Sequence, residues 1–166
     1  MEAGPQLEAI YISPQAGAPM VRLGQVAAIA GCGLEGDRYL LGTGRFSPRD
    51  VCEVTLIAAE ALEKMEADFG VAVSDGQHRR NLVLRGVDLD ELNGHRFSIG
   101  GEVVLEYDRP RPQCGYLQRI TEPGMTRAMG RGAGIAARVI EGGLIREGDA
   151  FHLLPGAAPR PRRRLP

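Results

Sequence analysis

Tryptophan is absent from this 166-residue chain, and aromatic residues make up only 5% of it. That argues against a surface that grips nucleic acid by stacking on its bases. Charge is nearly balanced as well: 20 Lys and Arg against 21 Asp and Glu leave a formal net charge of −1. The positive field of a general nucleic-acid binder is missing. Of the three cysteines, Cys32, Cys52 and Cys114, no two are spaced as a Cys-x-x-Cys pair, and an odd number cannot close into a full disulfide set. They are expected to be reduced thiols in a reducing compartment. No run approaches the ~18 apolar residues of a membrane span. The first residues, Met-Glu-Ala-Gly-Pro-Gln, are neither basic nor apolar as a secretory leader would be. The expectation is a cytoplasmic protein with no membrane and no nucleic-acid partner.

Other absences narrow the chemistry. No Gly-x-Ser-x-Gly elbow occurs. His78, His95 and His152 are scattered, without a metal-ligand spacing to the cysteines. Gly130-Arg-Gly-Ala-Gly134 lacks the Lys-Ser/Thr of a phosphate-binding loop, and a strand pattern follows it where a dinucleotide fold needs a helix.

What is present suits one domain with a real core, at 43% hydrophobic residues. Residues 7–12 read as a first strand, broken by Ser13-Pro14, and residues 25–30 as a second. Residues 52–57 are strand-like by their β-branched content. From Ala58 to Phe69 the period turns helical, with Ala61, Leu62, Met65 and Phe69 on one face and Gly70 at the stop position. Residues 96–99 and 102–108 read as a hairpin about Gly100-Gly101. A second hairpin is expected from residues 135–141 and 144–154 about Gly142-Gly143, with short helices at 113–120 and 125–129. No βαβ rhythm appears. The pattern predicts a mostly β fold, a β-barrel over residues 7–154 with one clear helix and short helical insertions. A Pro/Arg-rich tail over residues 155–166 is expected to be disordered.

The chemistry-bearing stretch is Tyr107-Asp-Arg-Pro-Arg-Pro-Gln-Cys-Gly-Tyr-Leu117. Pro110 and Pro112 stiffen the approach to Cys114. Arg109 and Arg111 raise the local positive potential, which favours a thiolate, the better nucleophile and metal ligand. Two further segments carry polar groups. The glycine-rich stretch from Gly31 to Ser47 holds Asp37, Arg38 and Thr43, and glycines there permit close backbone approach to a ligand. Arg79-Arg80-Asn81 leads directly into an apolar strand, and an arginine fork suits carboxylate or phosphate. One thiol, several arginines and an asparagine together suit a small anionic ligand held near sulfur.

The whole pattern resembles the MOSC domain, named after the C-terminal part of molybdenum cofactor sulfurase. The matching pieces are Gly36-Asp-Arg38, Thr43-Gly44, Val54-Thr-Leu-Ile57 with Glu60-Ala-Leu62, Arg79-Arg-Asn81, and Gly86-Val-Asp-Leu89. Leu92-Asn-Gly94, Phe97-Ser-Ile-Gly100, Cys114, Ala137-Arg-Val139, Gly142-Gly143 and Gly148-Asp149 complete them. The resemblance, to a stand-alone bacterial-type member, implies a barrel-like β fold and the molybdenum cofactor (molybdopterin) as ligand. By position, Cys114 would ligate molybdenum or carry sulfur, and Arg80 and Asn81 would hold the pterin phosphate. Asp37, Arg38 and Thr43 lie on the glycine loop and, with Arg79 and Arg111, are further cofactor-binding candidates. Many relatives carry proline directly before the cysteine or a second cysteine two residues upstream. Here Gln113 and Pro112 stand in those places.

Two functions follow from the resemblance. One is a sulfur transferase or a molybdenum-dependent oxidoreductase component. The other is a non-catalytic binding module or sulfur carrier serving a redox or sulfur-donor protein, with pyridoxal phosphate or another phosphate compound as an alternative ligand.

Overall fold

The computed structural model describes residues 3–45, 47, 49, 51–112 and 115–156. In chain order the elements are β1 (Gln6–Ile12), β2 (Val21–Leu23), β3 (Gln25–Ile29), β4 (Gly33–Leu34), α1 (Arg38–Leu41) and β5 (Val54–Ala58). There follow α2 (Ala59–Phe69), β6 (Leu82–Arg85), β7 (Arg96–Ile99), β8 (Val103–Pro110), α3 (Gly115–Ile120) and α4 (Met125–Met129). The chain ends through β9 (Ile135–Glu141), β10 (Gly143–Arg146) and β11 (Phe151–Leu153).

Eight strands form one mixed sheet in the order β11-β7-β8-β9-β5-β6-β1-β2, and β10-β3-β4 form a second, small one. Period-two alternation loads both faces of the large sheet. Leu7, Ile10, Val54, Leu56, Leu82 and Leu84 face a core shared with Val26, Leu34 and Ile145 of the small sheet. Ala9, Tyr11, Ile57 and Val83 face the opposite way, onto Leu62 and Met65 of α2 and onto Leu117, Met125 and Met129. A bulge between Leu7 and Ala9 in β1 allows residues 7 and 10 to share a face.

Helix α2 forms where its period placed it, and Gly70 ends it in the left-handed conformation at φ 65°. Leu62 and Met65 are buried. Burying each such side chain contributes about 1.5–3 kcal/mol. Phe69, expected on the same face, is exposed at the helix end, where the Arg127 guanidinium lies 5.8 Å from its ring centre.

Two expectations are corrected. The sheet is mostly β as read, but it is not closed into a barrel: its outer strands are β11 and β2, which do not pair with each other. The Gln6–Ala150 bridge and the backbone bonds Leu7 N–H to Asp149, Gly148 N–H to Leu7 and Phe151 N–H to Pro5 tie the segment around the start of β11 to the start of β1. The second expected hairpin is also absent. Strand β9 pairs with β5 and β8, whereas β10 pairs antiparallel with β3. The chain therefore leaves one sheet for the other at Gly142-Gly143. A Cβ on Gly142 would stand 2.7 Å from the Ala28 carbonyl oxygen, so glycine serves close passage there, not a hairpin turn. The outer part of the 155–166 tail, from residue 157, lies outside the described residues.

Candidate anion-binding site

The glycine-rich stretch is less open than its composition suggests. Asp37 caps α1: its Oδ2 accepts from the Tyr39 backbone N–H at 3.2 Å, and its Oδ1 accepts from the Ser13 N–H at 3.0 Å. Such a cap contributes about 1 kcal/mol. Asp37 is fully buried and also pairs with Arg38, whose Nη1 stands 3.1 Å from Oδ1. The second arm of Arg38 donates to the Arg79 carbonyl at 3.1 Å and to the Tyr39 hydroxyl at 3.4 Å.

Arg79 is the one non-glycine residue at positive φ among the described residues, at 60°. That conformation costs about 1–2 kcal/mol, and it sends Arg79 and Arg80 to different partners. Arg79 donates from Nη1 to the Ala18 carbonyl at 2.6 Å. Arg80 donates from Nε to the Ala133 carbonyl at 2.7 Å and from Nη2 to the Arg111 carbonyl at 3.0 Å. His78 holds the turn from inside. Its Nδ1 accepts from the Arg80 backbone N–H at 2.9 Å, so its proton sits on Nε2, which has no partner among the described residues.

Arg111 completes the group. Its Nη2 donates to the Tyr39 hydroxyl at 3.4 Å, and its guanidinium lies 5.7 Å from the Tyr39 ring centre, against 4.4 Å for that of Arg38. Arg38, Arg79, Arg80 and Arg111 thus gather around Tyr39 and one another's backbone. Among the described residues, Asp37 is the one carboxylate in an ion pair with Arg38, Arg79 or Arg80. The electrostatics bear the mark of this crowding. Burial pushes the Arg80 pKa down to about 10, with Tyr39 opposing the shift and Arg111 adding to it. Arg79 is lowered by burial first and by the Arg38 charge next. Both remain cations at neutral pH, held close to like charges.

The remaining candidates fall on either side of this group. Asn81 is fully buried and spent on the scaffold: its Oδ1 accepts from the Thr55 N–H and hydroxyl, both at 3.0 Å, and its amide donates to the Tyr11 carbonyl at 3.1 Å. It ties β5 to β1 directly beneath Arg80. Thr43 is exposed, with its hydroxyl donating to the Pro14 carbonyl at 2.7 Å. Arg109 lies beside Asp108, at 2.5 Å, which offsets the charge that the sequence placed near the thiol. Cys114 itself lies outside the described residues. Sequence reasoning missed Tyr39 and His78. Tyr39 directly follows Asp37-Arg38, and His78 precedes the Arg-Arg-Asn run, but nothing in their spacing marks a role.

Among the described residues no group of three or more His, Cys, Asp and Glu side chains is placed to hold a metal ion. None of the described helices is long and apolar enough to cross a membrane.

An eight-stranded mixed sheet with a small second sheet on one face and helices on the other, carrying an arginine cluster near one end of β5, β6 and β8, defines the class. The MOSC domain model matches residues 43–152, and the chain belongs to the MOSC domain family. Its fold is shared with the YUAD protein from Bacillus subtilis at a TM-score of 0.73 and 17% identity, over 90% of this chain and 94% of that one. It is similar to YiiM from Geobacillus stearothermophilus at 0.70 and 18%, over 91% and 75% of the two chains. YiiM from Escherichia coli gives 0.62 and 19%, over 91% and 70%. At these identities the likeness is one of fold. A search of curated proteins gave no match.

Proposed function

We propose that this MOSC-family chain binds a small phosphate-bearing ligand of the molybdopterin type at its arginine cluster, with Cys114 ligating molybdenum or carrying sulfur beside it. The observation that supports this most is the meeting of Arg38 and Arg111 at Tyr39, with Arg79 joined to Arg38 and Arg80 to Arg111 through backbone carbonyls. Cations gathered in a partly buried place repel one another, and a phosphate relieves that repulsion while accepting their charge-assisted hydrogen bonds. The donor set therefore fits the anionic part of such a cofactor. Arg38 would face the anion from the glycine loop, Arg79 and Arg80 from the turn before β6, and Arg111 from the end of β8. Asp37 orients Arg38 and does not itself meet phosphate, while Asn81 fixes the backbone from which Arg80 projects. Thr43 stands on the exposed rim. The cofactor, when bound, supplies a redox-active metal, for which a thiolate is a soft ligand. This chain's part is to bind, to orient and to offer that thiolate to a redox or sulfur-donor partner protein. A phosphate compound of another kind, pyridoxal phosphate among them, would meet the same arginines.

Arg80→Ala is expected to weaken inorganic phosphate binding by about tenfold to a hundredfold, since a hydrogen bond to a charged group contributes about 1.5–3 kcal/mol. Titration calorimetry on the wild type and the variant checks this, with urea unfolding run in parallel. A folded variant that binds phosphate as the wild type does would contradict the assignment.

A further inference from the structure

Tyr39 stands where two arginines from distant parts of the chain meet. Arg38 comes from the glycine loop, and Arg111 from the segment that continues β8. Each donates to the Tyr39 hydroxyl at 3.4 Å. Each also places its guanidinium near the ring, at 4.4 Å for Arg38 and 5.7 Å for Arg111. The negative face of a phenol ring and its hydroxyl oxygen both attract cations. Arg38 is held as well by the Asp37 carboxylate and the Arg79 carbonyl, so Tyr39 draws Arg111 toward an arginine already in place. Tyr39 is only half-buried, so a ligand can reach its surroundings. Arg80 joins the same assembly through the Arg111 carbonyl, and Arg79 through its carbonyl to Arg38.

We infer that Tyr39 is a positioning residue for the anion site: it gathers Arg38 and Arg111 into a preformed pair that a phosphate can bridge. The inference rests on the reading of the cluster as an anion site and adds the device that assembles it. Preformed donors bind more tightly than donors that must first be collected, because the ordering cost is met during folding. The ring and the hydroxyl make separable contributions. Tyr39→Phe keeps the ring face and loses the oxygen, whereas Tyr39→Leu loses both.

The test is inorganic phosphate titration of the wild type, Tyr39→Phe, Tyr39→Leu and Arg80→Ala, each with its urea unfolding curve. The expected order of affinity is wild type, then Tyr39→Phe about threefold weaker, then Tyr39→Leu weaker by at least about tenfold, since the first loses one hydrogen-bond acceptor and the second the ring face as well. The partial rescue by phenylalanine is what a purely structural role would not produce. If Tyr39→Leu does not fold, the threefold loss in Tyr39→Phe carries the test. Binding that weakens in Arg80→Ala but stays at the wild-type level in both Tyr39 variants would overturn the role of Tyr39 and leave the anion site standing. A folded wild type that binds no phosphate would overturn both.

Discussion

Replacing Asn81 by leucine is expected to lower the unfolding free energy by about 3–5 kcal/mol, near the upper end for a single substitution. The side chain makes three hydrogen bonds inside the protein, two accepted from Thr55 and one donated to the Tyr11 carbonyl. It is fully buried, so water does not stand ready to replace it. Leucine would strand the Thr55 N–H and hydroxyl and the Tyr11 carbonyl in an apolar setting, and each buried orphan costs about 1–3 kcal/mol. The damage reaches the site as well, because the Asn81 backbone is continuous with Arg80 and its own N–H donates to the Thr55 carbonyl at 3.1 Å. Urea denaturation near neutral pH measures the loss. A change below about 1 kcal/mol would mean that the tie between β5 and β1 is replaced by repacking.

Acid should weaken the fold through His78. Burial, with the Arg80 and Arg79 charges added, pushes its pKa down to about 3 from the ordinary 6.5. The sign follows from which state takes up the proton. As pH falls below about 6.5 the unfolded chain protonates His78 and the folded one does not, so stability drops steadily until about pH 3. At ~1.36 kcal/mol per pH unit, the loss attributable to His78 is about 2 kcal/mol at pH 5. Protonation in the folded state would also remove the acceptor that holds the Arg80 N–H, so acid loosens the arginine that anchors the site. Comparing wild type with His78→Asn at pH 7.5 and pH 5 isolates the term, because asparagine keeps an acceptor near Nδ1 and does not titrate. The wild type should lose about 2 kcal/mol more than the variant over that interval. Equal losses would show that His78 is not held neutral.

Local order was legible where a single pattern had a single solution. The α2 helix with Leu62 and Met65 on its buried face, its Gly70 stop and the β7–β8 hairpin about Gly100-Gly101 stand as read, Phe69 excepted. Patterns with two physical solutions were not legible. Gly142-Gly143 suits a hairpin turn and equally a close crossing between sheets, and only the partner strand β3, over a hundred residues earlier, separates them. Closure of the sheet poses the same difficulty, since whether β2 meets β11 depends on global twist and not on the residues of either strand. At the site, Arg79, Arg80 and Arg111 stood out as charged residues beside strands. Their division of labour did not, because it depends on one positive φ at Arg79 and on the ring of Tyr39. Asn81 shows the converse: a polar residue beside an arginine looks like a ligand group, and burial makes it a tie between strands.

The most direct measurement of the central claim is the molybdenum and pterin content of the protein purified from cells that make molybdopterin, with Arg80→Ala and Cys114→Ser prepared alongside. Pterin and molybdenum are expected to accompany the wild type, Arg80→Ala to lose both, and Cys114→Ser to keep pterin while losing molybdenum or bound sulfur. A folded wild type that carries neither molybdenum nor pterin would contradict it.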